Sequence, residues 1–353
     1  MDENDIFFFG SKKTEKSKTT SDAQAEPQNP SKPKEVKPII SRPTTEVDYR
    51  TDNPHIGLAI ILNHKNVKGQ LKRKGTEKDR DDITASLENF GFDVRVYNEL
   101  TSRKIKILLN SVAAEDHSRY DCFVMVVMTH GDKGRICAAD EFYSTEKLWV
   151  PLLGTNCPTL LGKPKIFFIQ ACRGKRIDQP VMITSRMAFS DNVMHARFTD
   201  PVTSTYAIPS TADILVMYST FEDHYSFRNT TTGSWFIQSL CSVLNEAADS
   251  IEAQNAGAEF LRLLTAVNRK VAYEYQSYSD NELINEKKEM PNFMSTLTKT
   301  FFLKVKPKSA EADGRNGSLP EWDNDEDEEE KLGRIFQTDS PYYKHFDAPV
   351  QYV

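Results

Sequence analysis

The chain has 353 residues, a formal charge of −6 and five cysteines, which is length enough for one large domain or two ordinary ones. Eight acidic and no basic residues fall within 321–330, so the rest is close to neutral, without the basic field of a nucleic-acid binder. No stretch approaches the roughly 18 apolar residues of a membrane helix, and Phe7-Phe8-Phe9 is not followed by an apolar core of signal-peptide length, which argues against membrane insertion and secretion.

Cys122, Cys137, Cys157, Cys172 and Cys241 are odd in number and lack metal-ligand spacing, so reduced thiols in a cytoplasmic setting are expected, with no metal and no cofactor. Residues 10–50 are rich in Lys, Ser, Thr, Glu and Pro. Such a composition cannot offset the entropy of ordering, so 1–50 reads as a disordered leader. An apolar strand near 56–62 follows, then a helix near 77–90 with Ile83, Leu87 and Phe90 on one face, closed by Gly91. A second strand is expected at 92–97. Thr101 caps a helix carrying Ile105, Leu108, Leu109 and Val112. The near-continuous apolar runs 122–128 and 165–170 read as buried parallel strands, ending at Thr129-His130-Gly131 and at Cys172.

After Gly174 the periodicity vanishes for about 30 residues, a length that marks a functional or disordered loop; it contains Asp178, Asp191 and Asp200. A strand at 214–218, helices near 234–248 and 258–275, and a strand at 297–305 complete the pattern. Alternating strands and helices predict an α/β domain over 51–305, with a largely parallel sheet covered on both faces. Residues 306–353 read as a disordered acidic tail. Its end, Gly333-Arg334-Ile335-Phe336 and Tyr342-Tyr343, is a candidate docking segment.

A cysteine attacks as thiolate, and a free thiol has a pKa of about 8.5, so a nearby imidazole is needed to favour the anion and to protonate the leaving amine. Two adjacent strands ending in His130 and Cys172 would supply both at one crevice. Taken singly, each has a plain reading as a core histidine or a packing cysteine, and the turn after a strand explains Gly131 equally well. Arg73, within Lys72-Arg73-Lys74, and Arg228 would pass for solvated loop charges. Tyr225, Phe227 and Trp235 would pass for core aromatics. No acid or amide side chain near the motif identifies itself as a third catalytic member.

The five residues Gln170-Ala171-Cys172-Arg173-Gly174, with Thr129-His130-Gly131 upstream, resemble the signature of the caspase family. The resemblance covers roughly 51–305. It returns at Lys72-Arg73-Lys74-Gly75-Thr76, Tyr225-Ser226-Phe227-Arg228-Asn229, Gly233-Ser234-Trp235-Phe236-Ile237-Gln238-Ser239-Leu240 and Ser295-Thr296-Leu297-Thr298-Lys299. It implies a caspase-like fold with a six-stranded, mostly parallel sheet, and a cysteine endopeptidase that cuts after aspartate in apoptosis or related signalling. Cys172 would form the thioester acyl-enzyme, His130 would act as acid and base, and the backbone N–H groups of Gly131 and Cys172 would hold the oxyanion. Arg73, Gln170 and Arg228 match positions that hold the aspartate. Tyr225, Ser226, Phe227, Asn229 and Trp235 match residues lining the remaining substrate pockets. Phe227 stands where effector caspases usually carry tryptophan, which removes edge area and an indole donor.

The short leader resembles the prodomain of effector caspases, so a zymogen is implied. A large subunit of 51–178 or 51–191, a linker at 175–207 and a small subunit at 208–305 would result from cleavage. Asp178 and Asp191 rank above Asp200, which precedes Pro201. Asp48, in Thr45-Glu46-Val47-Asp48, and Asp22 are candidates in the leader. Implied partners are protein substrates with aspartate before the scissile bond, a second copy paired near the last strand, an upstream initiator caspase and inhibitor-of-apoptosis proteins; membranes and nucleic acid are not among them. Two rivals stand beside this reading: a non-catalytic caspase-like regulator that dimerises with an active caspase, and a thiol endopeptidase cutting after Arg, Lys or Asn. The second would need acidic or neutral pocket residues where this chain has Arg73 and Arg228.

Overall fold

The apolar run around His55–Asn63 forms β1, which pairs in parallel with an apolar, buried strand on one side and with a strand of alternating burial at the sheet edge on the other. The computed structural model describes residues 46–180, 182, 209–279 and 281–308. Most of the expected leader, most of the linker and nearly all of the tail, with Asp22, Asp191 and Asp200, lie outside them. The other sheet strands are β2 (Asp93–Asn98), β3 (Tyr120–Met128), β4 (Lys165–Gln170), β5 (Ile214–Tyr218) and β6 (Asn292–Ser295). Their order across the sheet is β6-β5-β4-β3-β1-β2, parallel except for β6.

Among the described residues five α-helices accompany the sheet: α1 (Thr76–Asn89), α2 (Ser102–Ala114), α3 (Trp235–Ala248), the short α4 (Ile251–Asn255) and α5 (Phe260–Glu274). Alternate side chains of the strands feed two separate cores. Ile61, Val124, Phe168 and Met217 pack with α1, α3 and α5, whereas Leu62, Phe123, Val127 and Ile169 pack with α2 and the turns at 145–160. Strands buried on both faces read as unbroken apolar runs because each side chain, whichever way it points, meets a core worth about 1.5–3 kcal/mol to it. Helix starts follow local chemistry: the side chains of Thr101, Ser234 and Glu259 accept from Lys104 N, Ile237 N, and both Leu261 N and Arg262 N.

Two features depart from the expected pattern. The last sheet strand is Asn292–Ser295, not 297–305; only Phe302–Leu303 of the latter is extended, paired with Ala258–Glu259 in a separate ribbon. The apolar residues that suggested a strand, Phe301 and Leu303, are buried because they plug the α5 core, which is why their apolarity does not mark an edge. The segment after His130 also forms a three-stranded ribbon (131–132, 135–137, 142–144) followed by 3-10 turns, elements too short to show a period. Among the described residues no helix is long and apolar enough to cross a membrane, no cluster of side chains has the makings of a metal site, and all five cysteines are unpaired.

Candidate active site

Met128 of β3 lies opposite Gln170 of β4, and Thr129 N donates to Gln170 O at 3.0 Å. His130 and Cys172 therefore each stand two residues past the same rung, at the carboxyl ends of parallel strands where such sheets bind ligands. Gly131 then turns into the ribbon. A Cβ there would sit 2.5 Å from Cys172 O and 2.9 Å from Ala171 Cβ, so only glycine lets the two strand ends meet.

His130 Nε2 is 2.6 Å from Leu71 O. A carbonyl only accepts, so Nε2 carries the hydrogen and Nδ1 keeps the lone pair. This orienting partner is a backbone atom, which leaves no residue-type signal in a sequence. Burial, joined by the charges of Arg73 and Arg228, pushes the imidazole below its ordinary pKa, against the pull of Leu71 O. Burial pushes the Cys172 thiol up, against its hydrogen bond to Ser226 O at 3.9 Å. Thiol and imidazole are thus both neutral near pH 7 in this arrangement.

Arg73 is 1% exposed. Its Nη1 donates to His64 O and to Thr76 Oγ1, both at 2.9 Å, while Nη2 has no partner among the described residues. Burial, and then the charge of Arg228, bring its pKa down to about 9. Arg228 Nε donates to Lys74 O at 2.9 Å, and burial lowers its pKa too. Gly75 makes this meeting possible: its φ is 84°, and a Cβ would lie 2.8 Å from Asn229 O and Thr230 O. Gln170, also buried, donates from Nε2 to Ser226 Oγ at 2.7 Å, and its Oε1 lacks a partner. Two cations whose charges act on the thiol thus share this region with an amide bound to Ser226, and Arg73 Nη2 and Gln170 Oε1 are left without partners although buried polar atoms are ordinarily satisfied.

Of the aromatics, Phe227 stacks on Trp235 with centroids 4.7 Å apart, and Trp235 tilts against Tyr275 at 5.5 Å. Tyr225 is exposed. Asn229 is turned to its own loop, its Oδ1 accepting from Thr231 N and Thr232 N. The candidate cleavage points within the described residues are both tied down. Asp178 O accepts from Lys288 N at 3.2 Å; Asp48 bridges to Thr300, with Tyr49 N donating to Thr300 O at 2.9 Å.

One buried acid escaped sequence reasoning. Glu289 is 1% exposed; Oε1 accepts from Ser226 Oγ at 3.2 Å and Oε2 from Phe227 N at 2.5 Å. Burial, opposed by those two bonds, raises its pKa to about 8. In Glu286-Lys287-Lys288-Glu289 it reads as one more solvated charge, and nothing local distinguishes it.

A family model described as the caspase domain matches residues 56–302. Caspase-7 of Gallus gallus is 38% identical over 262 residues, covering 73% of this chain and 81% of that protein. Caspase-3 of Mus musculus is 38% identical over 257 residues, covering 72% and 86%. The crystal structure of caspase-1 from Spodoptera frugiperda superposes with a TM-score of 0.66 at 34% identity, covering 76% of this chain and 99% of that one.

Proposed function

The chain belongs to the caspase family of cysteine peptidases, and we propose that it is an effector-type caspase, made as a zymogen, that cuts proteins after aspartate. The observation that carries this reading is the guanidinium pair beside the thiol: Arg73, buried with Nη2 unpartnered, and Arg228 next to it. An aspartate carboxylate would satisfy that edge and offset both charges in a way that no basic or neutral side chain could.

In this mechanism Cys172 Sγ attacks the carbonyl carbon of the aspartate, and its proton passes to His130 Nδ1, the nitrogen that Leu71 O leaves free. The Gly131 and Cys172 N–H groups donate to the oxyanion. The C–N bond then breaks as the imidazolium protonates the leaving amine, and water hydrolyses the thioester. Because Arg73 and Arg228 help hold the imidazole pKa down, a bound carboxylate that offsets them makes His130 a better base. Recognition and proton transfer are linked through that charge. Phe227, Trp235, Tyr225, Ser226 and Asn229 would flank the upstream residues of the substrate.

Cleavage within 175–207 would leave a large subunit with His130 and Cys172 and a small one with Arg228, held together because β4 and β5 are neighbours in one sheet. A homodimer paired near β6, cytoplasmic location, an initiator caspase as activator, inhibitor-of-apoptosis proteins as binders and a role in apoptosis complete the proposal. The test is hydrolysis of tetrapeptide amides ending in Asp, Glu or Asn by the linker-cut protein and its Cys172→Ala variant. Turnover confined to Asp and lost with Cys172 is expected. Silence from the linker-cut protein would favour the non-catalytic regulator, and cutting after Asn would overturn the pocket assignment.

A further inference from the structure

Gln170, Ser226 and Glu289 form a chain of side-chain hydrogen bonds running from the guanidinium pocket to a buried carboxyl at the approach to β6. We propose that Glu289 is a positioning residue: through Ser226 it sets which amide atom Gln170 turns toward the pocket beside Arg73. This rests on the pocket binding a carboxylate, as argued above.

A serine hydroxyl has one hydrogen to give. When Glu289 is ionised it accepts from both Ser226 Oγ and Phe227 N, so Ser226 must itself accept from Gln170 Nε2. Gln170 Oε1 is then left without a partner, which is the arrangement described here. An acceptor oxygen is the wrong atom to offer a carboxylate. When Glu289 is protonated, its O–H donates to Ser226 Oγ and its other oxygen still accepts from Phe227 N. The serine hydrogen is thereby released, and a half-turn of the Gln170 amide gives both it and the unpartnered Oε1 a partner, so Nε2 swings toward the pocket as a donor. The half-turn of the amide changes no volume, since O and N differ little in size.

Burial decides which order prevails. Glu289 is 1% exposed, and its pKa is raised to about 8, so the protonated order dominates at pH 7. The other charged and titratable groups near this chain act on the thiol or are engaged elsewhere, and the shift of Glu289 comes from burial, opposed by its bonds to Phe227 N and Ser226 Oγ. Cys172, at the end of β4, is pushed up by the Glu289 charge and drawn down by Arg73 and Arg228. Lys287 and Lys288, on the same segment as Glu289, reach instead to Gln179 Oε1 and to Tyr275 O. Arg173 is held over the Tyr218 ring and by Asn292 Oδ1.

Kinetics of the linker-cut protein on an aspartate tetrapeptide amide give the first test. With the binding-competent order falling to about one part in ten a pH unit above a midpoint of about 8, KM should be about tenfold higher at pH 9 than at pH 7. Glu289→Gln places a permanent donor toward Ser226 and should cut that rise to the roughly twofold that Arg73, with its pKa of about 9, contributes at pH 9, without flattening the pH profile of kcat. Ser226→Ala, which cuts the chain, should do the same. A Glu289→Gln protein that folds and retains the wild-type rise in KM overturns the proposal. The second test needs no turnover: in full-length Cys172→Ala protein, the Glu289 carboxyl 13C and Gln170 side-chain amide signals are followed by NMR against pH. The amide should shift with the same midpoint as the carboxyl, and an amide indifferent to that titration overturns the proposal even if the peptidase reading stands. Absence of turnover in wild type, with the amide shift present, would instead count against the peptidase reading alone.

Discussion

The two sides of the site are built by different forces. His130 and Cys172 are delivered by β3 and β4, whose side chains at Phe123, Met125, Val127, Phe167 and Ile169 are completely buried in apolar surroundings. The opposite side, residues 224–234, has almost no regular structure and is held by polar contacts. Glu289 binds Phe227 N and Ser226 Oγ, and Asp79 of α1 accepts Ser234 N at 2.9 Å and Gln238 Nε2 at 3.1 Å. On the proposed reading, the reacting atoms are placed by packing, which is insensitive to pH, whereas the loop that carries Ser226 and Arg228 is placed largely by hydrogen bonds to buried acids, which is not. Chemistry and specificity should therefore be separable by mutation and by pH.

The sharpest way to break that division is Cys172→Ala. Removal of a nucleophile should cost at least about 10⁴-fold in turnover while leaving thermal unfolding nearly unchanged; a variant that unfolded instead would place Cys172 in the packing. Next comes stability against pH. The folded pKa of Glu289 is about 8 against an ordinary 4.5, so the folded state keeps a proton that the unfolded state gives up. Stability from this group is full below about 4.5, falls as pH rises to about 8 and then levels off. Glu289→Gln lacks this loss, and its stability relative to wild type should grow across that window by on the order of a few kcal/mol. Denaturant unfolding at pH 5 and pH 8.5 measures it, and an equal difference at both would contradict a buried titrating acid.

On the recognition side, Arg73→Ala should lower kcat/KM for aspartate peptides by about 10²–10³-fold, the loss expected for a buried charged hydrogen-bond partner. The loss should be far smaller for peptides ending in a neutral residue, which steady-state kinetics on both would show. The smallest effect concerns the leader. Tyr49 is buried, with its hydroxyl 2.6 Å from Asp213 and its N–H on Thr300 O, so the Asp48–Tyr49 bond must leave this seat before it can be cut. Tyr49→Phe removes a hydrogen bond of about 1 kcal/mol and should speed cleavage at Asp48 severalfold, since cleavage follows the opened population. N-terminal sequencing over a time course checks this.

The sequence by itself pointed to the α/β class, the parallel central strands, a helix capped by Thr101 and helices near 234–248 and 258–275, and its resemblance to the caspase signature pointed to the candidate residues His130, Cys172, Arg73, Gln170 and Arg228. The elements are legible because apolar periodicity is a property of neighbouring residues, and the candidate residues because their motifs resemble those of a known family; read singly, Arg73 and Arg228 would pass for loop charges. Only the tertiary structure decided that β6 is Asn292–Ser295 and not the more apolar 297–305, since an edge strand is chosen by what it pairs with rather than by its hydropathy. It alone showed the Leu71 carbonyl against His130, Asp48 and Tyr49 seated on Thr300 and Glu289 beneath Ser226. A backbone oxygen has no residue type, and a glutamate in a charged run becomes a buried acid only when residues 62 and 63 positions away close over it.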